Sequence, residues 1–313
     1  MFSNNPTIVR SKNILLRLSG LAIVVAILSF ACNPFLPAQT DGVNQQLDSL
    51  IRVEKLNEKA ILITLGSDAV TAIETQKGIV VIDAGISTGL TSKYRKIIEN
   101  EFQRNDFAYL INTHGHPDHN GGNSIFDDAV IIGHENSVQK ISDQWKDPEK
   151  VKSYLLKIVD DYDKELQKLE PGTDEWTEAF CQKARYQYAY NDVLNNFLGA
   201  KPEVTFNDTL TVFMGDARLS MIYFGKAHTN SDIIVHIPEL KLLMTGDLFF
   251  SGGRPSIDNA SKQDVERWKT VMQWLKVRWN EIDKVIGGHG QIMSQKDLEA
   301  FNKYVNKKWE ELK

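Results

Sequence analysis

Cysteine is scarce in this chain, which has only Cys32 and Cys181. Two cysteines cannot form the set of disulfides that holds a small secreted scaffold together. Cys181 has apolar neighbours at helical spacing, and we expect it to be a buried, unreactive thiol. The fold must therefore depend on an apolar core, for which an apolar composition of 42% is sufficient.

Linker-like sequence and internal repeats are also missing. No segment rich in proline, glycine or serine divides the chain after about residue 50, and no motif recurs at a fixed period. We therefore expect a polar tether over residues 32–50, followed by one folded domain over residues 51–313.

The longest apolar run is too short to span a membrane. It extends over residues 18–30, whereas a spanning helix needs roughly 20 apolar residues. Arg10, Lys12 and Arg17 precede it, and the first 31 residues contain no acidic residue. A basic start followed by a short apolar run predicts an export signal peptide over residues 1–31.

Cys32 stands where a bacterial lipoprotein signal places the cysteine that becomes acylated. Residues 28–32 (LSFAC) resemble that motif, although the leucine lies one position earlier than usual. Lipidation of Cys32, ordinary cleavage near Ala31 or Ala38, and an uncleaved anchor all remain open. The expected location is the periplasm, or the outer membrane through an N-terminal lipid anchor.

An excess of basic residues is absent as well. The formal net charge is −5, and removal of residues 1–31 with their three basic side chains would change it to −8. Because binding to phosphate backbones needs a basic surface, this charge argues against a nucleic-acid partner. We expect a small-molecule substrate instead, and no feature indicates an oligomeric state.

Short strands surround a central helical region. The strand candidates are 60–65, 69–74, 78–83, 107–112, 129–132, 209–214, 218–224, 232–237, 241–244 and 283–286. The helix candidates are 87–102, 151–169, 173–198, 262–281 and 294–313. Their order predicts an α/β fold in four layers, an αββα sandwich of two facing sheets with helices outside, interrupted by a helical insertion at about 135–200.

Three histidines and an aspartate occur within six residues, directly after the strand predicted at 107–112. They are His114, His116, Asp118 and His119. Neutral imidazole and carboxylate are the ligands that zinc prefers outside thiolate sites. Gly115 and Pro117 favour a tight turn that can direct alternate side chains at neighbouring metals. A polar loop of unrelated histidines is the alternative, and the density of the motif argues against it.

Three more residues with ligand side chains follow predicted strands. His228 comes after the strand at 218–224, Asp247 after 241–244 and His289 after 283–286. Strand ends that all deliver ligands to one rim are what a single site requires. The candidate metal ligands are therefore His114, His116, Asp118, His119, His228, Asp247 and His289.

The HxHxDH pattern at residues 114–119, followed in order by His228, Asp247 and His289, resembles the metallo-β-lactamase superfamily. Residues 225–232 (GKAHTNSD) also resemble the corresponding segment of zinc β-lactamases. The resemblance covers roughly residues 50–300, apart from the helical insertion, and it implies the αββα fold.

The resemblance assigns the ligands to two zinc ions per chain, with other divalent metals as alternatives. The first ion would be bound by His114, His116 and His228. The second would be bound by Asp118, His119 and His289. Two such ions hold a bridging water and lower its pKa towards neutrality, so that hydroxide is available at pH 7. Asp118 would also orient this hydroxide as the catalytic residue, and no serine or cysteine nucleophile is needed.

Asp247 is expected to bridge the two ions. The antibiotic-hydrolysing subclass has a cysteine at this position, whereas an aspartate resembles glyoxalase II enzymes and lactonases. The expected function is therefore an exported zinc hydrolase that cleaves an ester, thioester, lactone or lactam bond. Hydrolysis of β-lactam antibiotics is the first alternative.

Two other functions are compatible with the same fold. A redox protein of the flavodiiron type is disfavoured, because those proteins resemble HxExD and His116 stands at the second position here. A non-catalytic binding protein without metals is disfavoured by the complete set of seven ligands.

Several residues near the motifs have two interpretations. His134 either supports the metal site or belongs to the start of a helix at Glu135, and His236 is interpreted as a non-ligand within a strand. Lys226 and Arg254 either bind an anionic group of the substrate or are surface charges. The aromatic residues of the insertion either cover the site or pack between helices. They include Trp145, Tyr154, Tyr162, Trp176, Tyr186, Tyr188 and Tyr190.

Overall fold

The computed structural model describes residues 45–196, 199–251 and 257–313. The predicted signal peptide, Cys32 and Arg254 lie outside the described residues. The described end of the predicted tether, residues 45–50, is helical and is named α1. Leu47 in α1 is 1% exposed and belongs to the apolar core, so the folded domain begins before the predicted boundary at residue 51.

Seven strands form the first sheet, in the order β1-β2-β3-β4-β5-β6-β7. They are β1 (Arg52–Asn57), β2 (Ala60–Leu65), β3 (Asp68–Thr75), β4 (Gly78–Ile82), β5 (Phe107–Ile111), β6 (Val130–His134) and β7 (Val204–Phe206). The pairs from β1 to β4 are antiparallel, and those from β4 to β7 are parallel. Parallel neighbours need long crossover connections, which explains why helices separate the later strands along the chain.

Six strands form the second sheet, in the order β13-β12-β11-β10-β9-β8. They are β8 (Thr209–Phe213), β9 (Arg218–Tyr223), β10 (Ile233–Ile237), β11 (Leu242–Gly246), β12 (Lys284–Gly287) and β13 (Ile292–Met293). The pair β11–β12 is parallel, and the other pairs are antiparallel.

The helices after α1 begin at residues that favour helix starts. They are α2 (Thr88–Phe102), α3 (Pro117–Asn120), α4 (Glu135–Gln144), α5 (Pro148–Leu166), α6 (Asp174–Leu194), α7 (Lys262–Val277) and α8 (Gln295–Glu311). The hydroxyls of Ser87, Thr173, Ser261 and Ser294 each accept a hydrogen bond from a backbone N–H of the first turn. Among the described helices, none is both long and apolar enough to cross a membrane.

Alternation along the strands creates the four layers. In β2, Leu62 faces the second sheet, and its neighbour Ile63 faces the helices α2 and α6. A third apolar cluster lies between the second sheet and α7 and α8, with Trp268 and Phe301 among its members. The predicted αββα sandwich is therefore confirmed.

Most predicted elements are present, with ends displaced by a few residues. The helical insertion comprises α4, α5 and α6, and Cys181 of α6 is buried, where burial raises the pKa of its thiol to about 11. The predicted burial of this thiol is confirmed, and its unreactive character stays a prediction. Sequence patterns missed three short or peripheral strands. These are β1, whose first four residues are exposed, the three-residue β7 and the two-residue β13.

Candidate metal centre

Four strand ends deliver the predicted ligands to the rim that the two sheets share. The loop after β5 carries the first four ligands, and α3 starts within it at Pro117. His228 follows β9, Asp247 follows β11 and His289 follows β12. The side-chain ligand atoms form two groups, each within 4.8 Å. One group is His114, His116, His228 and Asp247, and the other is Asp118, His119 and His289. We call the seven residues the histidine–aspartate cluster.

Three imidazole nitrogens of the first group converge on one point. His116 Nδ1 lies 3.1 Å from His114 Nε2 and 3.1 Å from His228 Nε2. Nitrogens bound tetrahedrally to zinc at about 2.0–2.1 Å lie about 3.3 Å apart. The spacing and the donor type therefore fit a zinc ion with three histidine ligands.

The carboxylate of Asp247 lies between the two groups. Its Oδ1 is 3.4 Å from His119 Nε2, while its Oδ2 is 3.4 Å from His228 Nε2 and 3.2 Å from His289 Nε2. Asp118 Oδ2 completes the second group, at 3.5 Å from His289 Nε2. Asp247 Oδ2 thus lies near a ligand of each group, and Oδ1 faces the second group, so this carboxylate would contribute to both sites.

Two buried polar atoms of the cluster lack hydrogen-bond partners among the described residues, which indicates that metal ions fit this site. His119 Nε2 and Asp247 Oδ1 are buried and have no hydrogen-bond partner among the described residues. Leaving such a buried group unsatisfied costs about 1–3 kcal/mol. Because both atoms are good metal ligands and face the same space, divalent cations would satisfy them.

The first group is held in the protonation state that metals require. Burial lowers the pKa of His114 well below its ordinary value and that of His228 below it. Burial, with the neighbouring His228, lowers the pKa of His116 to about 4. These imidazoles are therefore neutral at pH 7, which is the form that binds zinc.

In the second group, the pKa values of the two histidines are raised rather than lowered. Burial opposes the charged form of His119, but Asp247, Asp118 and Asp83 together raise its pKa well above the ordinary value. Burial likewise opposes the charged form of Asp247, yet His119 and His114 lower its pKa well below the usual range. The carboxylates around His119 therefore favour a positive charge at this position, which a bound cation would supply.

Asp83 supports the cluster and was missed by the sequence analysis. Its Oδ1 accepts a hydrogen bond from the Thr113 N–H at 2.8 Å, and its Oδ2 lies 3.0 Å from His119 Nδ1. The backbone of Asp83 is left-handed, with φ of 58°, a conformation that aspartate tolerates better than most residues. An acidic residue at the end of a buried strand was the available indication.

The insertion reaches the cluster through the β2–β3 turn. His289 Nδ1 donates to the Ser67 carbonyl at 2.7 Å, which leaves Nε2 free to bind metal. The next residue, Asp68, accepts a hydrogen bond from Arg185 Nε of α6 and forms an ion pair with this guanidinium, and its side chain is 0% exposed. Gln182 of α6 also donates to the Ser67 hydroxyl. Helix α6 therefore holds the turn that orients His289.

The remaining candidates lie outside the cluster. His134 Nδ1 accepts a hydrogen bond from the Asn136 N–H and caps α4. Of the two interpretations of His134, the one that places it at the start of a helix at Glu135 is therefore confirmed. His236 packs edge-on against Trp274 in the second sheet's outer face. Lys226 Nζ is 3.4 Å from Asp264, which makes this lysine part of a surface ion pair.

Two facing sheets with a cluster of histidines and aspartates at their common rim define a metal-binding α/β protein. The chain belongs to the metallo-β-lactamase superfamily, because the family model described as "Metallo-beta-lactamase superfamily" matches residues 63–289. That match covers more than half of the chain and includes the whole cluster.

Similar proteins carry more than one description. A metallo-beta-lactamase type 2 of Bacillus sp. (strain 170) is 22% identical over 221 residues, which is 70% of this chain. The alpha subunit of a 2,4-dinitroanisole O-demethylase from Nocardioides sp. (strain JS1661) is 22% identical over 79% of this chain. The matches span 65% and 60% of the lengths of these relatives.

A solved structure shares the fold. The metallo-beta-lactamase from Pontibacter korlensis superposes with a TM-score of 0.56 at 17% identity, over 82% of this chain and 99% of its own.

Proposed function

We propose that this chain is an exported zinc hydrolase with two metal ions, which cleaves an ester, thioester, lactone or lactam bond of a small molecule. The observation that carries the proposal is the cluster itself, with ligand atoms in two groups and Asp247 between them. Bound divalent ions would polarise a carbonyl and lower the pKa of water towards 7.

The other roles in the proposed reaction belong to side chains of the chain. The neutral histidines would bind the first metal ion, and Asp247 would keep the two groups of ligands at a fixed separation. Burial opposes the charged form of Asp118, but His119, His289 and Arg185 lower its pKa below the ordinary value. Asp118 is therefore ionised at neutral pH, and its side chain is 31% exposed. A partly exposed carboxylate can accept a hydrogen bond from the attacking water and orient it towards the substrate.

Hydrolysis of β-lactams is a second candidate, supported by the names of relatives such as the Bacillus protein. The O-demethylase subunit among the relatives supports a wider range of substrates. Metal ligands do not determine which of these is correct, because specificity depends on the surrounding loops and helices. A hydrolysis screen over β-lactam, lactone, thioester, sulfate ester and phosphoester substrates separates the candidates.

Purified protein should contain close to two zinc or similar ions per chain by elemental analysis. His116→Ala should lower both metal content and hydrolysis, because it removes one ligand of the first ion. His236→Gln is the matched control, since this buried histidine belongs to neither group, and it should keep both. Full metal and full activity in His116→Ala would rule out the assignment.

Metal binding at the second site should weaken as the pH falls, because the raised pKa values of His119 and His289 make protons compete with the metal.

Export is the second part of the proposal, and it is supported by the basic and apolar composition of residues 1–31. We expect the mature protein to begin at Cys32 or within the next few residues, and a lipidated Cys32 would anchor it to a membrane. Mass spectrometry of the membrane and soluble fractions measures the N-terminus. A mature protein with Met1 intact contradicts cleavage, and an unmodified Cys32 contradicts lipidation.

A further inference from the structure

A pocket of about 320 Å³ adjoins Asp118 on the side of the helical insertion. Its wall is built from the end of α4 and from α5 and α6, together with the metal-binding loop. The side chains that define its chemistry are Trp145, Val151, Tyr154, Leu155, Tyr186 and Ala189. The pocket is therefore mainly apolar and aromatic, and it opens beside a residue of the histidine–aspartate cluster.

The polar groups of the pocket disfavour an anionic ligand. Its described lining contains no basic side chain, and its charged residues are Asp118 and Asp192. Both oxygens of Asp192 already accept hydrogen bonds from Thr88, at 2.6 Å each. Gln144 donates through Nε2 to the Gly115 carbonyl, while its Oε1 has no partner among the described residues. Carboxylates and an amide oxygen would repel a negative group, whereas Trp145 Nε1, which has no partner among the described residues, is a single neutral donor. The pocket therefore suits an uncharged group.

We propose that this pocket binds an uncharged apolar substituent of the substrate, either an aryl group or an alkyl chain of medium length. A cavity of about 150 Å³ can hold benzene, so a volume of about 320 Å³ accommodates a ring with several further carbons. The substituent's role in turnover rests on the proposed hydrolase function, because the scissile bond must lie at Asp118. The insertion, rather than the metal ligands, then selects the substrate.

Thioesters of increasing acyl length provide the test. Burial contributes about 0.8 kcal/mol per methylene, which is about fourfold in kcat/KM. Wild-type protein should therefore prefer the hexanoyl to the acetyl thioester by about two orders of magnitude. Ala189→Leu should reduce this preference to about tenfold or less, because the added carbons occupy part of the pocket. Ala184→Leu, the same change on the same helix outside the lining, should keep the wild-type preference.

A second variant covers the case in which Ala189→Leu does not fold. Leu155→Ala enlarges the pocket and should move the preferred acyl chain to a greater length. The proposal is overturned if wild-type protein shows no preference for longer chains, or if Leu155→Ala leaves the preferred length unchanged.

Binding of indole and octanol separates the pocket from the reaction. If no substrate of the screen is hydrolysed, the proposed function fails, yet the pocket can still be tested by saturation-transfer NMR with these two probes. Both should bind wild-type protein and Ala184→Leu, and neither should bind Ala189→Leu. Equal binding to all three proteins, or absence of binding to wild type, would contradict the proposed pocket.

Discussion

Asp247→Ala should lower hydrolysis by orders of magnitude and reduce the metal content from two ions to about one per chain. The carboxylate is 5% exposed, and its oxygens lie 3.4 Å from His119 Nε2 and 3.2 Å from His289 Nε2. Alanine removes the group that faces both sets of ligands and leaves His289 without its nearest carboxylate. Because a metal ion contributes several kcal/mol to stabilising the transition state, loss of the second ion alone accounts for a fall of this size.

Asp247→Cys is the informative companion variant. Thiolate is an excellent zinc ligand, so this protein should retain zinc but with altered geometry and rate. Elemental analysis gives occupancy, steady-state kinetics gives the rate, and circular dichroism reports whether the fold persists in both variants. If Asp247→Ala kept full occupancy and full hydrolysis, the bridging role would be wrong, and the site would have to be rebuilt around the histidines alone.

The sequence was sufficient to predict the cluster because each of its residues belongs to a recognisable local sequence pattern. Four of the ligands form one short motif, and the other three each follow a strand with a clear apolar pattern. The same patterns predicted the αββα sandwich, since buried strands such as β4 and amphipathic helices such as α2 have distinct periods. Strand β1 was missed because its residues are mostly exposed and lack that alternation.

Contacts between distant segments were not predictable in this way. Asp83 and His119 are 36 residues apart, and Arg185 and Asp68 are 117 residues apart. Asp83, Arg185 and Asp68 are ordinary charged residues in their local context, and their roles arise from tertiary packing alone. The buried Leu47 similarly belongs to a short, polar stretch that resembles a tether until the core around it is known.

Arg185→Met removes the ion pair between α6 and the β2–β3 turn, and it should destabilise the fold by about 3–5 kcal/mol. The side chains of Arg185 and Asp68 are 2% and 0% exposed, and they approach to 2.7 Å. Methionine fills much of the same volume but leaves the Asp68 carboxylate buried without its cation, with the Tyr94 hydroxyl as its remaining donor. Urea unfolding measures the loss, which corresponds to roughly 10 °C in Tm.

Two comparisons separate this effect from a general loss of charge on α6. Lys183→Met removes a cation from the same helix, but Lys183 pairs with Asp163 where both side chains are partly exposed, so the cost should be about 0–1 kcal/mol. Adding Asp68→Asn to Arg185→Met should recover part of the stability, because the buried charge is removed as well.

Arg185→Met should also weaken the binding of metal at the proposed second site specifically. Asp68 follows Ser67, whose carbonyl orients His289, so a displaced turn should reduce zinc affinity at that site by about 10–100-fold in a chelator competition. Binding of the proposed first ion, whose candidate ligands include histidines from other strand ends, should be unaffected. If Arg185→Met were as unstable as predicted but bound both ions with wild-type affinity, the insertion would support the fold without orienting the site, and His289 would depend on its own strand for its position.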